Sequence, residues 1–104
     1  MFDLTVDDVL AVYEQLKARY DVTQTNTLAM DDGFTIDCPI VAGKAHGQEI
    51  WLYEYDGLFV MDVMDAGHTM DTHWHPNDVE AAVRDIVEFM EGKSDYPLQP
   101  FARA

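Results

Sequence analysis

Residues 48–75 read QEIWLYEYDGLFVMDVMDAGHTMDTHWH, and this stretch decides the fold. Apolar and polar residues alternate in three short runs, 48–55, 58–65 and 68–74, separated by Asp56-Gly57 and Ala66-Gly67. Alternation over six to eight residues bounded by Asp-Gly or Ala-Gly predicts half-buried strands joined by tight turns, and strands joined so tightly must be antiparallel neighbours. A two-residue turn at Asp56-Gly57 sets Tyr55 opposite Leu58, Tyr53 opposite Val60 and Trp51 opposite Asp62. A two-residue turn at Ala66-Gly67 sets Val63 opposite Met70, Phe59 opposite Trp74 and Asp62 opposite Asp71.

Upstream, the period-2 pattern continues through residues 25–30 and 34–40 around Asp31-Asp32-Gly33, a three-residue loop with Gly33 left-handed that pairs Leu28 with Ile36. The stretch 41–47, with Gly43 and Gly47, reads as a looser connection. Before the strands, residues 5–20 carry Val6, Val9, Leu10, Tyr13, Leu16 and Tyr20 at helical spacing, with Thr5 as N-cap and Asp7 and Asp8 in the first turn. After them, residues 78–91 repeat the pattern through Val79, Ala82, Val83, Ile86, Val87 and Met90. Asn77 and Glu80 stand at capping-box spacing there, and Gly92 follows as the residue that ends the helix.

The expected architecture is therefore α+β: a two-layer, five-stranded antiparallel meander in the order α-β-β-β-β-β-α, with both helices on one face. Residues 1–92 form one domain of the chain's 104, and residues 93–104, containing Pro97 and Pro100, form an extended tail. The helix-facing side of the sheet is expected to hold Leu28, Met30, Phe34, Ile36, Cys38, Ile50, Leu52, Phe59, Met61, Val63, Met70 and Trp74. The opposite side holds Thr35, Asp37, Trp51, Tyr53, Tyr55, Leu58, Val60, Asp62, Asp71, His73 and His75. Two helices cover one face of such a sheet, so the second face is open or is covered by something else.

Charge narrows the choice of partners. Twenty Asp and Glu against six Lys and Arg give a formal net charge of -14. Such a surface repels nucleic acid and anionic lipid and attracts cations and basic proteins. The opening MFDLTVDDV lacks the basic and long apolar regions of a secretory leader, and no apolar run approaches the ~20 residues that span a bilayer. Cytoplasmic residence is the expectation. Cys38 is the one cysteine and reads as a small apolar core residue rather than a reactive thiol.

No nucleophile elbow, dinucleotide fingerprint or zinc-finger spacing occurs, and VAGKAHGQ (41–48) lacks the spacing of a phosphate loop. Two constellations remain. The first is the aromatic-acidic face formed by Trp51, Tyr53, Tyr55, Leu58, Val60 and Asp62. Aromatic anchors inside a polar rim are what protein interfaces present, so this face is expected to bind a protein partner, basic in character, or a second copy of the chain. Alternatively, the tail folds back over it with Tyr96, Leu98 and Phe101. The second constellation is Asp71, His73 and His75 on one strand face, a candidate site for a divalent transition metal in an enzyme or sensor; no other cofactor is implied. Asp62 and Asp71 opposite each other are also a candidate acid/base dyad. The leading expectation is a small interaction protein of the inhibitor, immunity or accessory-subunit kind, without catalysis.

Overall fold

The computed structural model describes residues 3–29, 33, 35–64 and 70–92. In chain order these form α1 (Val6–Leu16), β1 (Val22–Thr25), β2 (Leu28–Ala29), β3 (Thr35–Ile36), β4 (Ile40–Ala45), β5 (Gln48–Tyr55), β6 (Leu58–Met64), β7 (Met70–Trp74) and α2 (Val79–Glu91). Five strands make one antiparallel sheet in the order β1-β4-β5-β6-β7, and β2 and β3 form a separate two-stranded ribbon. The fold is α+β, with two helices flanking five sheet strands in sequence.

The helices begin and end where local chemistry directs. Thr5 precedes α1 in extended backbone, and its N–H donates to the Asp8 carboxylate at 2.8 Å, so the first turn is closed by its own side chains. This helix stops at Leu16, short of the span its periodicity predicts. At α2 the cap is Asp78 rather than Asn77: its carboxylate accepts from the Ala81 N–H at 2.8 Å. Gly92 ends α2 with φ +67°, a left-handed conformation that glycine adopts without steric cost.

Both helices pack on one face of the sheet. Val9, Val12 and Leu16 of α1 and Ala82, Ile86 and Phe89 of α2 meet Val22, Val41, Ile50, Leu52, Phe59, Met61, Val63 and Trp74 in a continuous buried core. Polar links lock the layers together. The Trp74 indole N–H donates to Asp85 at 2.9 Å, with both side chains buried, which ties α2 to the outer strand β7. Tyr20 donates to Glu91, joining the segment after α1 to the end of α2. His46 donates through Nε2 to the Phe89 carbonyl at 3.1 Å and so satisfies one of the helix's last carbonyls.

Three expectations need correction. The stretch 41–47 is not a loose connection. Residues 40–45 form β4, a central strand, and the turn is His46-Gly47 alone, with φ +58° and +77°. Asp56-Gly57 has the same left-handed pair, φ +55° and +82°, the twist that suits a two-residue hairpin. Gly43 sits inside β4 because α2 passes close over it; a Cβ there would lie 2.9 Å from the Met90 sulfur and 3.3 Å from Val22 Cγ1. The expected strands 25–30 and 34–40 are also not whole members of the main sheet: Leu28–Ala29 and Thr35–Ile36 pair apart from it, while Thr25 and Ile40 end its β1–β4 ladder. Their hairpin register is as expected, Leu28 opposite Ile36, but it belongs to the separate ribbon, and β1 takes the sheet position beside β4.

The last ladder differs by two residues. Met61 faces Trp74, Asp62 faces His73 and Val63 faces Thr72, with a bulge between Val63 and Met64. A slip of two residues preserves the alternation of faces but changes every cross-strand partner. Asp62 therefore faces His73 and not Asp71, and the Asp62–Asp71 dyad does not form across the ladder. The expected Asp31-Asp32 and Ala66-Gly67 turns, Met30, Phe34 and the tail 93–104 lie outside the described residues, as do the side chains of Leu28, Ile36, Met70 and Asp71. Among the described residues, no helix is long and apolar enough to cross a membrane.

Candidate functional site

The second face of the sheet divides into a closed half and an open half. In the closed half, Ile40, Trp51 and Met64 are buried together, with Cys38, Ala42 and Tyr53 packed against them. Cys38 is thus on this side and not among the helix-facing residues. The bend through Asp37-Cys38-Pro39 interrupts the strand, so the alternation that runs through β3 does not carry into β4. Trp51 lies on the face away from the helices but is only 1% exposed.

The open half is a groove of about 500 Å³ lined by Thr35, Asp37, Cys38, Tyr53, Glu54, Tyr55, Val60, His73 and His75. One wall comes from β3 and the bend after it; the floor and the other wall come from β5, β6 and β7. Of the six residues expected to form the interaction face, Tyr55 is 71% exposed, Tyr53 and Leu58 are half-buried, and Val60, Asp62 and Trp51 are buried. The row is a groove with an aromatic rim rather than an open plane.

Asp62 organises the floor. Its carboxylate, 2% exposed, accepts from the Tyr53 hydroxyl at 3.0 Å through one oxygen and from His73 Nδ1 at 2.6 Å through the other. A carboxylate has no proton to give here, so both partners donate, and the His73 tautomer is set with hydrogen on Nδ1. His75 is fixed in a related way. Pro76 has no N–H with which to continue the ladder, and the His75 Nδ1 donates instead to the Phe59 carbonyl at 2.9 Å. The two imidazoles meet edge to face with centroids 4.9 Å apart. At the β5–β6 turn, the Glu54 carboxylate accepts from the Gly57 N–H at 2.7 Å.

The electrostatics of the groove are negative. Burial pushes the Tyr53 hydroxyl well above the usual tyrosine range, and the Asp62 charge and hydrogen bond add to that. Burial also pushes the Cys38 thiol up, reinforced by the charges of Glu54 and Asp37. A thiol pushed toward its protonated form is a weaker nucleophile than a free cysteine. Among the described residues, no Lys or Arg lines the groove. Of the described cations, Lys17, Arg19 and Arg84 belong to the helical layer and its ends, and Lys44 lies on β4 away from the groove, beside Asp21 and Glu49.

Among the described residues, no three His, Cys, Asp or Glu side chains converge as a metal-binding group. His73 and His75 are adjacent as expected, whereas the Asp71 side chain lies outside the described residues. The Asp62–His73 pair could not be read from the sequence, because it depends on the bulge in β6–β7. Glu54 and Cys38 were also not foreseen as groove residues. The chain matches no protein-family model, no curated protein and no solved structure.

Proposed function

We propose that this chain is a small acidic interaction domain of the cytosol that docks a basic protein partner through the groove on its second sheet face. Tyr55 is the observation that carries the reading. It is a large aromatic side chain, 71% exposed, standing at the rim of a groove that Asp37 and Glu54 line and that, among the described residues, no Lys or Arg lines. Exposed aromatics beside pockets are where interfaces concentrate their binding energy. The net charge of -14 would speed encounter with a cationic partner and favour correct orientation. The same charge opposes pairing of two copies through this face, which favours a different protein over a homodimer. An inhibitor or immunity-type protein that blocks a basic enzyme fits this physics by analogy.

The test is retention of partners from a cell extract on immobilised protein, comparing wild type with Tyr55→Ala, Leu58→Ala and, on α2, Glu80→Gln. Tyr55→Ala, at the groove rim, should lose a retained basic protein, with a loss of about 2 kcal/mol in affinity; Leu58→Ala, opposite Tyr55 in the ladder but outside the groove lining, should weaken retention less, and Glu80→Gln keeps it. Equal retention by all four would refute the reading. A second reading, binding of Zn²⁺ or Ni²⁺ by His73 and His75 with Asp71, draws its support from the two adjacent imidazoles oriented by Asp62 and the Phe59 carbonyl.

A further inference from the structure

We propose that the groove receives an arginine side chain of the basic partner, with Tyr55 as the surface on which its guanidinium stacks and with Asp37 and Glu54 as its counter-charges. The inference rests on the docking reading above and specifies the chemistry of the occupant.

Shape comes first. A groove of about 500 Å³ accommodates one long side chain and its neighbours but not a folded element. Its walls are mostly aromatic and aliphatic: Tyr53, Tyr55, Val60 and the edges of two imidazoles. Such walls suit a ligand whose stem is apolar and whose head is a flat, weakly hydrated cation. Arginine meets that description better than lysine, because a guanidinium stacks on an aromatic face and presents paired donors to carboxylates, whereas an ammonium is a compact, strongly hydrated charge.

Charge comes second. Asp37 and Glu54 stand at the groove, and Glu54 is held by the Gly57 N–H, so little side-chain freedom would be lost on binding. The Asp62 carboxylate lies beneath, already engaged by Tyr53 and His73, and adds its field without offering a contact. Burial is the larger cause that holds Cys38 and Tyr53 toward their protonated forms, and the charges of Glu54 and Asp37 at the first and of Asp62 at the second add to it. Carboxylate charge that disfavours a thiolate or a phenolate favours a cation.

The experiment uses the full chain and three labelled probes: hexa-arginine, hexa-lysine and hexa-glutamate. Affinity is read by fluorescence anisotropy and location by amide chemical shifts. Hexa-arginine should bind more tightly than hexa-lysine, hexa-glutamate should not bind, and shifts should concentrate at residues 35–38, 53–55 and 73–75. Asp37→Asn should weaken hexa-arginine by about five-fold, as loss of one charge-assisted contact does. Glu80→Gln, with the same charge change on the helical layer, should leave it within about two-fold. Tyr55→Ala should erase the preference for arginine over lysine.

Equal weakening by Asp37→Asn and Glu80→Gln would mean that the probe senses only overall charge, and would overturn the proposal. Shifts outside the groove would overturn it too, as would protein-concentration-dependent shifts there without probe, the sign of a second copy as occupant. If hexa-arginine fails while a retained protein partner still depends on Tyr55, the arginine assignment falls and the docking face stands. If neither depends on Tyr55, both fall.

Discussion

Replacing Asp62 separates the organising role of this carboxylate from the general acidity of the chain. It is 2% exposed and accepts from Tyr53 and His73 at 3.0 and 2.6 Å. Hydrogen bonds to a charged acceptor contribute about 1.5–3 kcal/mol each, but the two are not additive. His73 and Tyr53 are only partly buried, so water replaces some of what is lost. Removing a buried charge also relieves its desolvation. These terms leave Asp62→Ala costing about 2–3 kcal/mol. Asp62→Asn retains one acceptor and costs about 1 kcal/mol. Urea unfolding gives both values, and ultraviolet titration of the tyrosines gives a second readout. In the wild type, Tyr53 keeps its proton in the folded state above the ordinary tyrosine value of about 10. The unfolded chain then releases that proton first, so stability falls as pH climbs above 10 and continues to fall until the folded-state value is passed. Asp62→Asn should lower the Tyr53 value only part of the way, because burial is the larger cause and remains. A stability loss under about half a kilocalorie for Asp62→Ala, with Tyr53 titration unchanged, would show that the floor of the groove does not depend on this residue.

Two other outcomes bear on the core and the metal reading. Ile86→Ala and Phe59→Ala, both at fully buried positions, should each cost about 2–5 kcal/mol in urea unfolding; a loss in the range of surface substitutions would contradict the packing. Calorimetry with Zn²⁺ or Ni²⁺ should show binding no tighter than about micromolar and none in His73→Ala, and absence of heat with either metal at neutral pH would remove the metal reading.

What could be read from the chain alone followed from local signals. Asp56-Gly57 determined the β5–β6 register residue by residue, because a two-residue left-handed turn leaves no freedom in pairing. Thr5 and Gly92 marked helix ends by chemistry that acts within one turn. The failures came where a distant contact decides. Gly43 and its alanine neighbours look like a loop, yet the glycine is in a strand because α2 lies against it. His46-Gly47 carried the turn signal, since histidine tolerates left-handed backbone better than most residues, but it was submerged in that glycine-rich stretch. Ala66-Gly67 suggested a two-residue turn, whereas the β6–β7 ladder pairs Met61 with Trp74 and Asp62 with His73, two residues away from the register such a turn sets. That difference decided the site, because it replaces an Asp–Asp pair with Asp62 and His73.

The position of β1 has a kinetic consequence. The turns at 46–47 and 56–57 join β4, β5 and β6 through contacts close in sequence, so this three-stranded unit can form without large loop-closure entropy. The ladder between β1 and β4 instead closes a loop that contains the entire β2–β3 ribbon. It gains little until β4 is already in place. The first part of the chain, α1 with β1, is therefore expected to dock late in folding and to open early in unfolding. The wall that Thr35, Asp37 and Cys38 add to the groove lies within that same late-closing loop. Assembly of the groove is thus expected to accompany the last step of folding, and partially folded chains would present the hairpins of the sheet before they could present a complete groove.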